Sequence, residues 1–196
     1  LAGEGWLDAH ALLQGFKRRA QSLGVVYRQG AVAAFERSGG RITSVRLAGG
    51  ERIGCGWAVN AAGTGAAALA ASAGIELPVR ARKRCVFHFR SPAGLPGCGL
   101  VVDPSGVWFR PEGAGFIGGV APPEHEDPDV APDDFDVDHA LFDEVVWPTL
   151  AARVPGFEAL RLLSSWAGHY DVNLLDANVI VGPHPALPNL LFANGF

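Results

Sequence analysis

Val59-Asn60-Ala61-Ala62-Gly63 is the most informative short stretch of this sequence. Trp57 to Val59 has strand character, and the run then falls away into small residues that end at glycine. Such an ending lets a flat ligand or another chain segment approach the backbone closely. On spacing alone it reads first as the end of an ordinary buried strand, and a ligand contact is the alternative. An Ala-rich helix is expected from Thr64 to Ala73, stopped by Gly74.

Upstream, the periodicity changes. Leu12, Leu13, Phe16, Ala20 and Leu23 recur at helical spacing behind a candidate N-cap, Asp8, and Gly24 follows as the stop. Val25 to Tyr27, Ala31 to Phe35 and Ile42 to Leu47 are short β-prone runs separated by glycines. They predict an antiparallel meander.

Downstream of Leu77-Pro78 come further short runs: Cys85 to Phe89, Gly99 to Asp103, Val107 to Arg110 and Phe116 to Val120. Gly/Pro turns between them predict a second antiparallel sheet. An acidic stretch follows, with no Lys or Arg between Arg110 and Arg153. It is expected to be a solvated loop that leads into a helix N-terminus, with a docking surface for a basic partner at 124–138 as the alternative. The helix should bury Leu141, Phe142, Val145, Val146 and Leu150 on one face. Strands around Leu162 to Tyr170, Val179 to Gly182 and Leu190 to Ala193 complete the chain.

Composition narrows the classes. The 196 residues are 48% hydrophobic and 18% charged, with a net charge of −4, so nothing suggests nucleic-acid binding. No apolar run reaches the length of a membrane span. Cys55, Cys85 and Cys98 are odd in number and lack a CxxC pair, so buried free thiols in a reducing, cytoplasmic setting are expected and a metal site is not. No HExxH or G-x-S-x-G occurs. Met is absent, and all but two of the 16 basic residues are Arg, which suggests a GC-rich, bacterial genome.

In order along the chain, several motifs resemble one family. They are Gly3-Glu4-Gly5-Trp6, Leu12-Leu13-Gln14-Gly15, Gln21 to Val25, Val59 to Gly63, Arg82-Lys83-Arg84, Val146-Trp147-Pro148, Arg153-Val154-Pro155, Trp166-Ala167-Gly168 through Asp171, Val181 to Pro185, and Phe192-Ala193-x-Gly195-Phe196. Together they are similar to the FAD-dependent oxidoreductases of the D-amino-acid oxidase family, which includes glycine oxidase, sarcosine oxidase and dimethylglycine dehydrogenase.

The resemblance implies an α+β fold of glutathione-reductase-like FAD type. An incomplete α/β FAD domain (1–77 and 172–196) would join an antiparallel substrate domain (78–171). It implies hydride transfer to FAD from the C–N bond of a small amine or amino acid. It also leaves a non-catalytic assembly or scaffold factor as the alternative.

By the same carry-over, the Val32 backbone would hold the adenine. Ala61, Ala62 and Gly63 would pack along the cofactor, and Gly195 and Phe196 would lie beside the flavin. Arg84 and Arg110 are the candidates for a substrate carboxylate, with Tyr170 in the same pocket. The family's Gly-x-Gly-x-x-Gly turn would precede Leu1, and its C-terminal turn is cut after Phe196. The chain is therefore expected to be a fragment that holds FAD weakly alone. Some family oxidases carry an oxygen-activating Lys on the strand matching Phe116 to Gly119. Here the lysines are Lys17 and Lys83, which implies a dehydrogenase-type flavoprotein, or one that does not turn over small amines, rather than an efficient oxidase.

Overall fold

A computed structural model describes residues 5–196, so Gly3 and Glu4 of the motif set lie outside it. Helix α1 (Ala9–Ser22) starts where Asp8 accepts the Ala11 N–H at 2.8 Å, as an N-cap should. Gly24 follows at φ 90°. The meander is β1 (Val32–Ser38), β2 (Arg41–Leu47) and β3 (Arg52–Gly54), antiparallel in that order. Val25 to Tyr27, expected as a strand, is not one. Its three side chains are exposed and it has no ladder partner among the described residues, so β propensity alone does not hold it.

The strand that leads into Ala61-Ala62-Gly63 is β4 (Ala58–Asn60), which runs parallel to β11 (Leu187–Asn194). β11 in turn pairs antiparallel with β10 (Ile180–His184). A 3₁₀ turn (Gly63–Gly65) leads into the short helix α2 (Ala66–Ala71). Asn60 builds that turn from inside: it is fully buried, donates to the Ala66 carbonyl at 2.9 Å and accepts the Ala62 N–H at 3.3 Å. The helix is thus shorter than the expected Thr64 to Ala73 and begins as a tighter coil.

The second sheet is larger. β5 (Val79–Arg90) and β9 (Arg161–Asn173) pair along almost their full length. β8 (Gly115–Gly119), β7 (Trp108–Glu112) and β6 (Val101–Val102) complete the order β6-β7-β8-β5-β9. Glycines let these strands approach, for a Cβ at Gly119 would lie 2.7 Å from the Cys85 carbonyl oxygen.

One face of this sheet is sealed. Phe87, Phe89 and Phe109 pack on Phe142, Val146, Leu150 and Phe157, all buried. Those last four come from the segment α3 (His139–Leu141), a π turn (Phe142–Val146), α4 (Trp147–Arg153) and the 3₁₀ turn after it. The wider π turn shifts the helical period, so Phe142, Val146 and Leu150 point inward while Val145 is exposed. A second apolar cluster joins Phe35 and Ile42 of the meander to Ala66, Ala70, Leu190 and Phe192.

Candidate active site

Strand parity sorts the large sheet's side chains. In β5 the residues Cys85, Phe87 and Phe89 face the aromatic core. Arg84, Val86 and His88 therefore face the other side. Register extends that open face across the sheet. Arg82 is opposite Tyr170, Val86 opposite Trp166, and His88 opposite Ser164 and Ile117, which is itself opposite Arg110. Both candidate arginines thus share one face, but Arg110 sits two strands away and four residues further along β5.

A cleft of about 610 Å³ opens beside this face. Arg84, Trp108 and Tyr170 line it from the sheet, and Gly195 and Phe196 line it from beyond β11. The junction is fixed by Asp171, whose Oδ2 accepts the Gly195 N–H at 2.8 Å. Gly195 itself has φ 75°, and a Cβ there would come within 3.1 Å of the Asn173 Cβ. Four of the residues singled out from sequence therefore meet in one cavity: Arg84, Tyr170, Gly195 and Phe196.

The others lie elsewhere. Arg110 donates to Glu112 and to the Pro111 carbonyl, and its guanidinium lies 5.7 Å from the Trp6 ring centre. Val32 opens β1, paired with Leu47. Ala61, Ala62 and Gly63 leave the carboxyl end of β4, the same end of the sheet from which Gly195 leaves β11. Ligands in parallel sheets sit beyond that end. Gly63 has φ 53° and open space where its Cβ would be. Asn194, last residue of β11, is fully buried, and both polar atoms of its amide lack a partner among the described residues. An unsatisfied buried amide is costly, so this corner has the donor and acceptor that a polar cofactor uses. Asn194 is the site feature that residue-type reasoning missed, because only burial without a partner reveals it.

Arg84 is not free. Its Nη1 and Nη2 donate to both Asp127 oxygens at 2.8 and 2.7 Å, a bidentate pair. Arg82 pairs with Asp129, and Lys83 Nζ lies 2.7 and 2.8 Å from the Asp134 oxygens. Lys83 and Asp134 respond in opposite directions. Their hydrogen bond holds the carboxyl below its ordinary range and raises the ammonium above its own.

The segment 124–138 is the largely exposed loop expected before a helix N-terminus, with Asp138 accepting the Leu141 N–H at 3.2 Å as its cap, while the docking surface for a basic partner gains no support. β8 covers β5 only at Phe87–Phe89, and the acidic segment straps the basic run that lies beyond. Successive strand residues point to alternate faces, so pairing with 82, 83 and 84 makes the strap straddle the edge. Three of its carboxylates are committed within the chain. Neither lysine is available to the cleft: Lys83 is tied to Asp134, and Lys17 lies over the Tyr27 ring at 3.7 Å. Of the three thiols only Cys85 is buried; Cys55 and Cys98 are half-buried, and all are unpaired.

Comparison with known proteins gives the family and the fold. The family model described as FAD dependent oxidoreductase (DAO) matches residues 1–196. FAD-dependent oxidoreductase domain-containing protein 1 of Bos taurus is 40% identical over 100% of this chain and 46% of its own length. Its Drosophila melanogaster homolog is 31% identical over 44% of its length. The chain thus spans less than half the length of these curated relatives. They are animal proteins, so the bacterial origin suggested by composition gains no support from them.

Iminodiacetate oxidase from Chelativorans sp. BNC1 superposes with TM-score 0.79 at 21% identity, over 95% of this chain and 49% of that one. L-proline dehydrogenase from P. horikoshii does so with TM-score 0.79 at 22% identity, over 94% and 49%. They share the fold, an α+β arrangement. No helix among the described residues is long and apolar enough to cross a membrane. The chain belongs to the DAO family of FAD-dependent oxidoreductases, whose cofactor is FAD.

Proposed function

We propose that the protein oxidises the C–N bond of a small amine or amino acid. The observation that carries this is the cleft in which Arg84 and Tyr170 of the open sheet face meet Gly195 and Phe196. When bound, FAD supplies the hydride acceptor. The amine loses a hydride from the carbon beside nitrogen, and the resulting iminium is hydrolysed by water to a carbonyl and a shorter amine. The names of the two structural neighbours, an iminodiacetate oxidase and a proline dehydrogenase, support C–N chemistry.

The chain's own residues bind and orient. Ala61, Ala62 and Gly63 would admit the cofactor to the backbone at the carboxyl end of β4. Asn194 would answer a polar group of it, Val32 would hold the adenine through its backbone, and Gly195 and Phe196 would flank the flavin. Tyr170 and the neighbouring aromatic side chains would exclude water from the reacting carbon. On this reading 1–77 and 172–196 form the cofactor side and 78–171 the substrate side, a division that the two apolar clusters support. Free thiols support a reducing compartment such as the cytoplasm. The two lysines of this chain are engaged elsewhere, Lys83 with Asp134 and Lys17 over Tyr27, which supports a dehydrogenase over an oxidase.

The test is anaerobic. The full-length protein, loaded with FAD, is mixed with N-methyl amino acids, D-amino acids and simple secondary amines. Bleaching of the flavin absorbance with any of them is the expected result. No bleaching with all of them overturns catalysis and favours the scaffold role. Rapid hydrogen peroxide release in air would overturn the dehydrogenase assignment. The 196-residue chain alone is expected to retain less than stoichiometric flavin on purification.

A further inference from the structure

Arg90 and Arg161 stand at the outer end of the β5–β9 ladder. They are direct cross-strand partners, so their side chains leave the same face side by side. Arg84, in the cleft, lies six residues back along β5, about 20 Å away. Like charges placed opposite one another repel and weaken a ladder. The other arginines of β5 are answered: Arg80 and Arg82 meet Asp129, and Arg84 holds Asp127. Arg90 and Arg161 have no ion-pair partner among the described residues, although Glu158 stands in the 3₁₀ turn just before β9.

The backbone around this pair is shaped as well. The ladder shifts register between His88 and Phe89, which leaves Leu163 of β9 without a partner, as in a β-bulge. A bulge re-aims a side chain. Leu163 joins both arginines in lining a cavity of about 440 Å³, with Ser91, Pro92 and Ala159. Ser91 ties the two walls together: its Oγ donates to the Gly156 carbonyl at 2.7 Å and accepts the Ala93 N–H at 3.1 Å. The cavity is thus held open without spending either guanidinium.

A planar carboxylate is satisfied by one guanidinium fork. A phosphate dianion has three acceptor oxygens and the charge to engage two forks at once. We propose that this cavity binds a phosphate monoester, held by Arg90 and Arg161 together, with its carbon group against Leu163 and Pro92. No step of amine oxidation uses this site, and its occupant relieves the repulsion that the arginine pair builds into the ladder.

The experiment uses full-length protein with FAD, melted at constant ionic strength in chloride. Phenyl phosphate should raise the melting temperature saturably, because a ligand that binds only the folded state stabilises it. Benzoate, the same ring with a carboxylate, should not. Arg90→Gln and Arg161→Gln, both at exposed positions, should each weaken phenyl phosphate binding about tenfold, the order of one charge-assisted contact at an accessible site, with flavin content unchanged. Arg161→Glu should abolish the shift and raise the ligand-free melting temperature, since it turns a repulsion into a pair.

Cosedimentation with vesicles that carry phosphatidate identifies the source. Binding lost in Arg161→Glu assigns a lipid headgroup, and no binding assigns a soluble ester; both uphold the phosphate site. No saturable shift with phenyl phosphate, an equal shift with benzoate, or an undiminished shift in Arg161→Glu overturns it. Each of these results leaves amine oxidation standing, because that reading is tested by flavin bleaching alone.

Discussion

Phe157 and Phe16 are the same side chain in opposite situations. Phe157 is fully buried, with the rings of Phe89, Phe109 and Phe116 centred 5.1 to 5.4 Å away. Phe16 is 67% exposed on a helix that buries none of its residues. Both belong to clear apolar patterns. Periodicity says which face of an element is apolar and is silent on whether anything covers it. The sheet of β5 to β9 closes its own aromatic core, whereas α1 keeps its stripe open among the described residues.

The contrast can be broken at once in this 196-residue chain. Phe157→Ala should cost about 3–5 kcal/mol in chemical denaturation, since it empties a packed core. Phe16→Ala should stay within about 0.5 kcal/mol, as surface changes do. Equal losses would mean that α1 packs in solution.

Glycines repeat the comparison with smaller effects. Gly119→Val drives a Cβ toward the Cys85 carbonyl oxygen and should destabilise by about 2–3 kcal/mol. Gly15→Ala, inside α1 with nothing within 4 Å, should stabilise by about 0.5–1 kcal/mol. Melting curves of the two variants should move in opposite directions.

Asn194 sharpens the difference between a satisfied and a waiting polar group. Asn60, also buried, spends its amide on the Ala62–Ala66 turn, while Asn194 spends neither atom. Asn194→Leu should raise ligand-free stability by about 1 kcal/mol, the order of an unsatisfied group relieved. The same change in the full-length protein should weaken FAD binding, read by flavin fluorescence. A loss of stability without any change in FAD affinity would make Asn194 structural only.

The smallest effect is the acid response of the strap. Asp134 is held below its ordinary pKa first by its hydrogen bond with Lys83 and then by the Asp136 N–H. A depressed carboxyl contributes stability above its unfolded pKa and loses it as pH falls through the folded value. Lys83, raised by the same bond, contributes below its unfolded pKa and loses this at high pH. The strap should therefore be firmest at neutral pH and loosen below the ordinary carboxylate range. Limited proteolysis within 122–138 should accelerate in acid, and Asp134→Asn should flatten that dependence.

Much of the fold is legible in the sequence. Asp8, Gly24 and the apolar spacing between them mark α1, and the glycine punctuation marks both antiparallel regions. Local signals suffice there because caps and turns are local chemistry. Val25 to Tyr27 has strand propensity and forms no strand, because a strand exists only with a partner. Val145 fits the helical stripe and still faces outward, because a π turn changes the period without any residue that announces it. Among site residues, Arg84 and Tyr170 are legible as types on neighbouring strands. The engagement of Arg84 by Asp127 is not, since 43 residues separate the two.

Residue identity and near-neighbour pattern are enough for the order of elements, the small-residue end of β4 and the absence of a lysine on β8. Each depends on residue identity or on neighbours a few positions apart. Tertiary structure alone decided that Gly195 meets Tyr170 in one cleft, that Asn194 is buried without partners, and that the acidic strap neutralises the basic run. Those outcomes turn on which distant groups share a small volume. In a low-dielectric corner the partner, or its lack, determines what a charge or an amide can do.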